Sequence, residues 1–596
     1  MKILLMTLNS KFIHSNLAIK YIERFWRVNH ESNYKKIDLD VKEYTINNDM
    51  DHILRDIHRG RYDAVFASAY IWNIDSLSIL FLNLKKINPN CIIVFGGPEV
   101  SYDPVEQLSK HAFLDGVICG EGERTFSDIL IHFSNEGLSL EVESIQGLAS
   151  RNQQLISQVM KIENLDSVPF PYVDLKEYEN RIVYYESSRG CPYSCSYCLS
   201  SASKGVRYFS LNRVFDDLQF FLEAEIPQVK FVDRTFNINK KHALPIMEYL
   251  VEHDNGITNF HFEITADLLD DDYFNLISKA RNGLFQFEIG IQSTNPSTNI
   301  AINRPIPFDT LKEATKTLIR IEKAHVHVDL IAGLPFESFK RFLLSFDEVY
   351  AIGADQLQLG FLKLLKGTPL YNDRHRYEYL VRMEPPFEVL ENQFISFDEL
   401  TKLKEVEKLV EWYYNSRKFH QSIQYFLSRS ASTPSSFYLE MALYFNLKGY
   451  FDAPISTYRL YEILYDYYLT KHDESELFKD LLKFDYYAAN LKGQRELFHY
   501  EDLPRFNQNR LEILKNDEFV QLFNAGYSGQ TPKQILKNVE FITLKYDIMT
   551  LIQSNYKSAP RNLNIVMFDY DRSNMTTRGF KAYKIKREDF EGDKYE

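Results

Sequence analysis

Three of the five cysteines in this 596-residue chain fall in one short loop, Gly190-Cys191-Pro192-Tyr193-Ser194-Cys195-Ser196-Tyr197-Cys198. The spacing Cys-x3-Cys-x2-Cys lets three thiolates converge on one soft metal centre without help from distant chain. A tetrahedral structural zinc site takes a fourth ligand, usually from a second Cys-x-x-Cys or a His pair. Here the other two cysteines, Cys91 and Cys119, stand alone in apolar runs. Three ligands with one position left open favour a four-iron cluster with one unique iron over a zinc site completed by one of the 15 histidines. Gly, Pro, Ser and Tyr around the thiols describe a loop, not a buried core segment. Five cysteines and no visible secretion signal make no disulfide framework.

Length alone predicts about three domains. An apolar fraction of 45% with 44 Phe and 39 Tyr supplies several cores. The balance of 69 basic and 82 acidic residues, net −13, argues against a general polyanion binder. No run approaches the roughly 18 apolar residues of a membrane span. The amino terminus, Met1-Lys2-Ile3-Leu4-Leu5-Met6, begins like a strand, without the apolar core and cleavage site of a signal peptide. A cytoplasmic protein, with reduced thiols available for cluster assembly, is the expectation.

Residues 1–150 alternate apolar strands (Lys2–Leu8, Ala64–Ile71, Cys91–Phe95, Gly116–Cys119) with helical patterns such as Leu17–Arg27 and Ser76–Ile87. Buried strands separated by helices predict a doubly wound parallel sheet. Such sheets bind ligands at the carboxyl ends of their strands. Those ends read Leu8-Asn9-Ser10, Tyr70-Ile71-Trp72-Asn73, Gly96-Gly97-Pro98-Glu99 and Gly120-Glu121-Gly122-Glu123. A glycine pair alone reads as a tight turn; four such ends in order read as a crevice for a large ligand. The Gly-x-Gly-x-x-Gly dinucleotide fingerprint is absent, which disfavours NAD.

A proline-bearing connector (151–179) follows, and from 180 to 390 a second alternating series begins. Its strand candidates are Ile182–Glu186, Gln228–Asp233, Asn259–Thr265, Phe285–Ile291, His325–Ile331 and Gln356–Leu362, with helices at Arg213–Ala224, Tyr273–Ala280 and Pro307–Ala324. Six strands with helices between them predict a partial parallel barrel. The cysteines follow its first strand, on the face where such barrels keep their chemistry. From 391 to 596 the alternation gives way to aromatic helical patterns: Phe397–Asn415, Ser436–Leu447, Pro454–Tyr468, Asp473–Tyr487 and Pro532–Ile542. Paired aromatics there, such as Tyr486-Tyr487, read as core and interface. Ile565–Tyr570 and Tyr583–Lys586 predict a small hairpin.

Cys191-x3-Cys195-x2-Cys198 with Tyr197 resembles the signature of the radical S-adenosylmethionine enzymes. The preceding module, through Gly96-Gly97-Pro98-Glu99 and Gly120-Glu121-Gly122-Glu123, resembles the cobalamin-binding domain of one large branch, in that branch's usual order. Val232-Asp233-Arg234-Thr235-Phe236-Asn237, Glu288-Ile289-Gly290-Ile291-Gln292-Ser293 and Asp329-Leu330-Ile331-Ala332-Gly333-Leu334-Pro335 add to the match. The resemblance covers about residues 1–375, and the tail resembles an uncharacterised helical extension. It implies a [4Fe-4S] cluster on the three cysteines, with S-adenosylmethionine chelating the open iron and cleaved to a 5′-deoxyadenosyl radical. It also implies roles for Tyr197 at the adenine, Asp233 and Thr235 at the methionine amino group, and Glu263, Gln292 and Ser293 at the ribose or carboxylate. Asp233 stands where the family more generally has Gly-Gly-Glu.

For cobalamin the resemblance implies Asn9, Ser10, His14, Tyr70, Trp72, Asn73, Gly96, Gly97, Pro98, Glu99, Gly120, Glu121, Gly122 and Glu123. The Asp-x-His-x-x-Gly motif that ligates cobalt from below is absent. Asp56-Ile57-His58-Arg59-Gly60-Arg61 departs from it at Arg61 and reads as a solvated helix end. His14 is a candidate lower ligand set against simple hydrogen bonding in its loop. The expected function is cobalamin-dependent methylation of an unactivated carbon, with a reductant such as flavodoxin or ferredoxin. Radical cyclisation or rearrangement, and a non-catalytic cobalamin or redox sensor, stand as alternatives; a nucleic-acid substrate is disfavoured by charge.

Overall fold

The computed structural model describes residues 1–596 except 143–144, 152–158, 203–204, 431, 490–496, 499–502, 572–580 and 592–596. The chain divides into two compact units. The first comprises 1–324, 331–338 and 360–397, and the second 325–330, 339–359 and 398–596.

The first unit opens with β1 (Lys2–Asn9), buried along nearly its whole length and flanked by parallel partners β2 (Asp38–Thr45) and β3 (Ala64–Ser68). With β4 (Ile92–Gly96), β5 (Gly116–Ile118) and β6 (Leu148–Ser150) the sheet order is β2-β1-β3-β4-β5-β6. The sheet is parallel except for β6, which pairs antiparallel with β5. Side chains alternate across it. Leu4, Met6 and Leu8 pack with helices 50–60 and 74–87, and Ile3 and Leu5 pack with helices 17–29 and 122–136. Burial on both faces is what made β1, β3, β4 and β5 readable as apolar runs. The charged β2 and the three-residue β6 lie at the edges, where one flank is open and no apolar run is needed, and neither was anticipated.

The second sheet holds β7 (Val183–Tyr185), β10 (Gln228–Phe231), β11 (Asn259–Ile264) and β12 (Phe285–Gln292), paired in parallel in that order. β13 (Ala324–Ala332) and β14 (Gln356–Phe361), which carry residues of both units, complete the order β7-β10-β11-β12-β13-β14. A short antiparallel hairpin, β8 (Ser188–Cys191) with β9 (Gly205–Tyr208), interrupts the series and carries the first cysteine. β12 shows the logic of the sheet. Phe285, Phe287, Ile289 and Ile291 are buried, while Gln286, Glu288, Gly290 and Gln292 are half-buried on the opposite face. Lys230 of β10 and His261 of β11 both lie 3.1 Å from Glu288, so that face carries a charged layer where closed barrels usually pack branched apolar side chains.

In the second unit, helices 397–410, 434–447, 457–469 and 476–488 occupy four of the five anticipated stretches. The first ends in a π-helical turn, Glu411–Asn415. Their tyrosines are core: Tyr413, Tyr438, Tyr461 and Tyr486 are fully buried. The Tyr413 and Tyr461 hydroxyls donate to the carbonyls of Leu460 and Lys418. The expectation of a helix over Pro532–Ile542 is corrected. Only Pro532–Ile535 is helical, and Val539–Tyr546 is the first strand of a three-stranded antiparallel sheet with Arg561–Asp569 and Lys581–Ile585. Val539-Glu540-Phe541-Ile542-Thr543-Leu544 is rich in β-branched and aromatic residues, and pairing with Arg561–Asp569 settles it as strand. No helix among the described residues is long and apolar enough to cross a membrane.

Candidate functional site

The cysteine loop is held from several directions. Asp233, just beyond β10 and 1% exposed, accepts from the Ser187 N–H (2.9 Å), the Ser187 hydroxyl (2.8 Å) and the Ser188 hydroxyl (2.5 Å), pinning the entry to β8. Its carboxylate is thus engaged by the loop itself, at the strand end where the resemblance implied the methionine amino group. On the other flank, the Ser196 N–H donates to the Ile302 carbonyl (2.9 Å) and the Leu370 N–H to the Ser196 carbonyl (2.8 Å). The Asn303 amide donates to the Ser194 hydroxyl and carbonyl. The Arg304 guanidinium lies 3.8 Å from the Cys195 sulfur while also donating to the Gly290 carbonyl (2.8 Å). Burial pushes the Cys195 thiol up and the neighbouring guanidinium acts against it. Arg304 is thus a cation set beside the Cys195 sulfur, 109 residues away in sequence and without any local signature.

Thr235 places its hydroxyl 3.8 Å from the Cys191 sulfur, and Tyr197 is half-buried close to Cys195 and Arg304, its hydroxyl pushed up by desolvation. Gln292 closes β12 in a left-handed conformation (φ 69°), and its amide folds over Gly290, where a Cβ would overlap it. Ser293 is 1% exposed and donates to Glu337 (2.5 Å), which makes it part of the support and not of the open site. Four buried polar atoms around the loop have no partner among the described residues: Ser196 Oγ, Gln292 Oε1, Asn299 Oδ1 and Arg304 Nε. Unpaired buried polar atoms are costly unless a ligand or water meets them. No three potential ligand side chains among the described residues are gathered as a metal site; the fit lies in the donor chemistry, three soft thiols in one loop beside unmet donors and acceptors, which suits a thiolate-held cluster with a polar co-substrate.

Burial pushes the Glu263 carboxyl, at the end of β11, up to about 7, with Arg234 acting against the shift. Because the folded chain then holds this proton more tightly than the unfolded one, stability falls as pH rises from the ordinary glutamate range through about 7. Glu263→Gln is expected to be more stable than the parent at pH 8 by about 1–3 kcal/mol, with no advantage at pH 4.5. Thermal melting at the two pH values checks this.

Beside the loop lies a cavity of about 1040 Å³, at the large end of the range for ligand sites. Of the predicted crevice residues, Asn9, Ser10, His14, Tyr70, Trp72, Gly96, Gly97, Pro98, Gly120, Glu121, Gly122 and Glu123 line it. Asn73 and Glu99 do not. Asn73 is fully buried, its amide donating to the carbonyls of Leu8 and Ser68, and it ties the ends of β1 and β3 together. Burial pushes the Glu99 carboxyl up to about 7. Gly97 is glycine because of its φ of 109° and the Ala69 carbonyl, 2.5 Å from where a Cβ would sit. The strand-end glycines thus bring backbone against backbone, and the open wall follows from that.

His14 has its Nδ1 2.7 Å from the Tyr184 hydroxyl of β7, and burial, Lys11 and Lys230 lower its affinity for a proton. The contact reaches across to the second sheet, outside the loop of His14, and engages one of its two ring nitrogens. Trp72 stacks on Tyr70 at 4.3 Å and 9° and donates to the Leu8 carbonyl, presenting a flat aromatic wall. The other wall comes from the second sheet and its hairpin: Tyr184, Glu186, Arg189, Arg207, Val232 and Arg234. One cavity therefore borders both the glycine-lined crevice and the strand ends beside the cysteine loop, which suits a large flat ligand facing a second reactant.

Family models match three stretches: a B12 binding domain over 3–130, the radical SAM superfamily over 185–349, and a family of unknown function, DUF4080, over 375–568. Among curated proteins, the chain is 27% identical over 334 residues to an uncharacterised methyltransferase PH0819 of Pyrococcus horikoshii, covering 54% of this chain and 70% of that one. It is 25% identical to the cobalamin-dependent radical SAM methyltransferase TokK of Streptomyces tokunonensis, covering 54% and 50%. It is 28% identical to an anaerobic magnesium-protoporphyrin IX monomethyl ester cyclase of Synechocystis, covering 40% and 49%. The chain thus spans about half the length of the last two. Among solved structures it shares its fold with OxsB bound to aqua-cobalamin and S-adenosylmethionine (TM-score 0.55, 14% identity, 82% of this chain and 78% of that one). It likewise shares the fold of TsrM of Kitasatospora setae (TM-score 0.53, 16% identity, 62% and 76%).

Proposed function

We propose that this radical S-adenosylmethionine protein with an amino-terminal B12-binding domain catalyses a cobalamin-dependent methyl transfer to an unactivated carbon. The observation that carries the reading is the shared cavity, bordered by the crevice on one side and by the strand ends next to the cysteine loop on the other. When bound, the cluster with S-adenosylmethionine supplies a radical that abstracts hydrogen and cobalamin supplies a methyl group.

The chain's own residues hold, orient and seclude. Cys191, Cys195 and Cys198 would carry the cluster, with Arg304 balancing charge beside Cys195. Gln292, Thr235, Glu263 and Tyr197 surround the place for the co-substrate. Trp72, Tyr70 and the backbone of Gly96-Gly97 and Gly120-Gly122 give a flat, water-poor wall for the corrin. His14, also on that wall, is oriented through its Nδ1 by the Tyr184 hydroxyl. Reduced thiols and one-electron chemistry support a cytoplasmic setting and a flavodoxin- or ferredoxin-type donor.

Anaerobic turnover with deuteromethyl S-adenosylmethionine tests the reading. The expected result is S-adenosylhomocysteine and 5′-deoxyadenosine together, with label in the product. 5′-Deoxyadenosine alone would instead support the cyclase or rearrangement chemistry suggested by the cyclase relative.

A further inference from the structure

The floor of the shared cavity is a buried ion network that belongs to neither cofactor site by itself. Arg189, one residue before Gly190-Cys191, directs its Nε to Glu186 (2.7 Å), its Nη2 to Glu123 (2.6 Å) and its Nη1 to Glu121 (3.3 Å). Arg207, opposite Arg189 on β9, also pairs with Glu121 and donates to the Ile162 carbonyl. The side chains of all five ionic residues are between 6% and 19% exposed. Glu121 and Glu123 are the acidic pair of the crevice segment Gly120–Glu123, and both line the cavity while pairing with arginines of the cysteine hairpin. The linkage onward is stiff. Gly190 has φ 104°, a Cβ there would overlap the Gly205 carbonyl, and Cys191 pairs directly with Gly205 in the β8–β9 ladder. The crevice loop is therefore joined to the strand that carries the first thiol through one guanidinium and one glycine.

We propose that Arg189 is a positioning residue that couples the two cofactor sites, so that corrinoid binding in the crevice and cluster loading on the cysteine loop strengthen one another. The inference rests on the cobalamin reading given above. Its physical basis is reciprocity: a network with one preferred arrangement that both ligands require transmits the same factor in either direction. Arginine suits the task because its planar fork engages three carboxylates at once, which a lysine ammonium on a flexible stem does not reproduce.

The test titrates hydroxocobalamin into the full chain, anaerobically, in cluster-loaded and cluster-free forms, with the dissociation constant read from the visible corrinoid spectrum. The parent is expected to bind about tenfold more tightly when cluster-loaded. In Arg189→Met the two forms are expected to agree within about twofold, with Arg189→Lys between. Thermal melting reports the fold of each variant; should Arg189→Met be unfolded, Glu123→Gln, which loses one of the three contacts, is expected to lower the ratio in the same direction. A purely structural network would weaken both forms equally and leave the ratio unchanged. Equal affinities in the parent, or a tenfold ratio preserved in the variants, overturns the coupling and leaves methyl transfer standing. Absence of corrinoid binding in both forms overturns the cobalamin reading and the coupling with it.

Discussion

Cys195→Ala is expected to abolish S-adenosylmethionine cleavage, with 5′-deoxyadenosine falling below detection and iron dropping from about four atoms per chain to near zero. Cys195 is 6% exposed and sits in the middle of the cysteine loop, with Arg304 on one side and the Ser196 backbone anchored on the other. Removing its sulfur leaves two thiols, too few to hold a cluster with one open iron. The fold should survive, because the loop's backbone contacts to Ile302 and Leu370 do not involve the side chain. Iron and sulfide analysis with the dithionite-bleachable visible band, on protein whose melting temperature is unchanged, makes the measurement. Retention of the full biological effect by this cluster-free variant would favour the sensor alternative over catalysis.

Asp233→Ala is expected to act on the same chemistry from a distance, through stability. The carboxylate accepts three hydrogen bonds in a site where it is 1% exposed. Truncation leaves one N–H and two hydroxyls without acceptors, at about 1–3 kcal/mol for each buried group left unmet. Partial relief by water or by rotation of the hydroxyls brings the expected loss to about 3–5 kcal/mol. Because Ser187 and Ser188 lead directly into β8, the hairpin carrying Cys191 should loosen, and cluster occupancy should fall along with the denaturation midpoint. Asp233→Asn keeps the volume and one acceptor, so it should lose less on both measures. Denaturant unfolding together with iron content separates this outcome from a direct role at the co-substrate. A variant of native stability that binds S-adenosylmethionine poorly would restore the role implied by the resemblance.

The two predictions illustrate what local pattern conveys. The cysteine spacing is short-range information: three thiols within one loop need no knowledge of the rest of the chain. The buried strands β1, β3, β4 and β5 were equally legible, because burial on both faces writes itself as apolar runs, and β7 and β10 to β14 as alternating apolar and polar positions. The edge strand β2, the short β6 and the strand Val539–Tyr546 were missed, since their strand character comes from a neighbour's backbone. Within the site, the strand-end glycines and aromatics marked the crevice. Asn73 carries the same sequence signal as Trp72, yet its side chain turns inward to tie two strands.

The sequence by itself determined the order of the modules, the three thiols and the crevice-forming strand ends, because each is set by residues close together in the chain. Only the tertiary structure decided that Asp233 braces the cysteine loop and that Arg304 stands beside Cys195. It also decided that Arg189 joins that loop to Glu121 and Glu123 across 66–68 residues. A charged side chain takes its partner from whatever the fold brings within about 3 Å, and no periodicity records that choice.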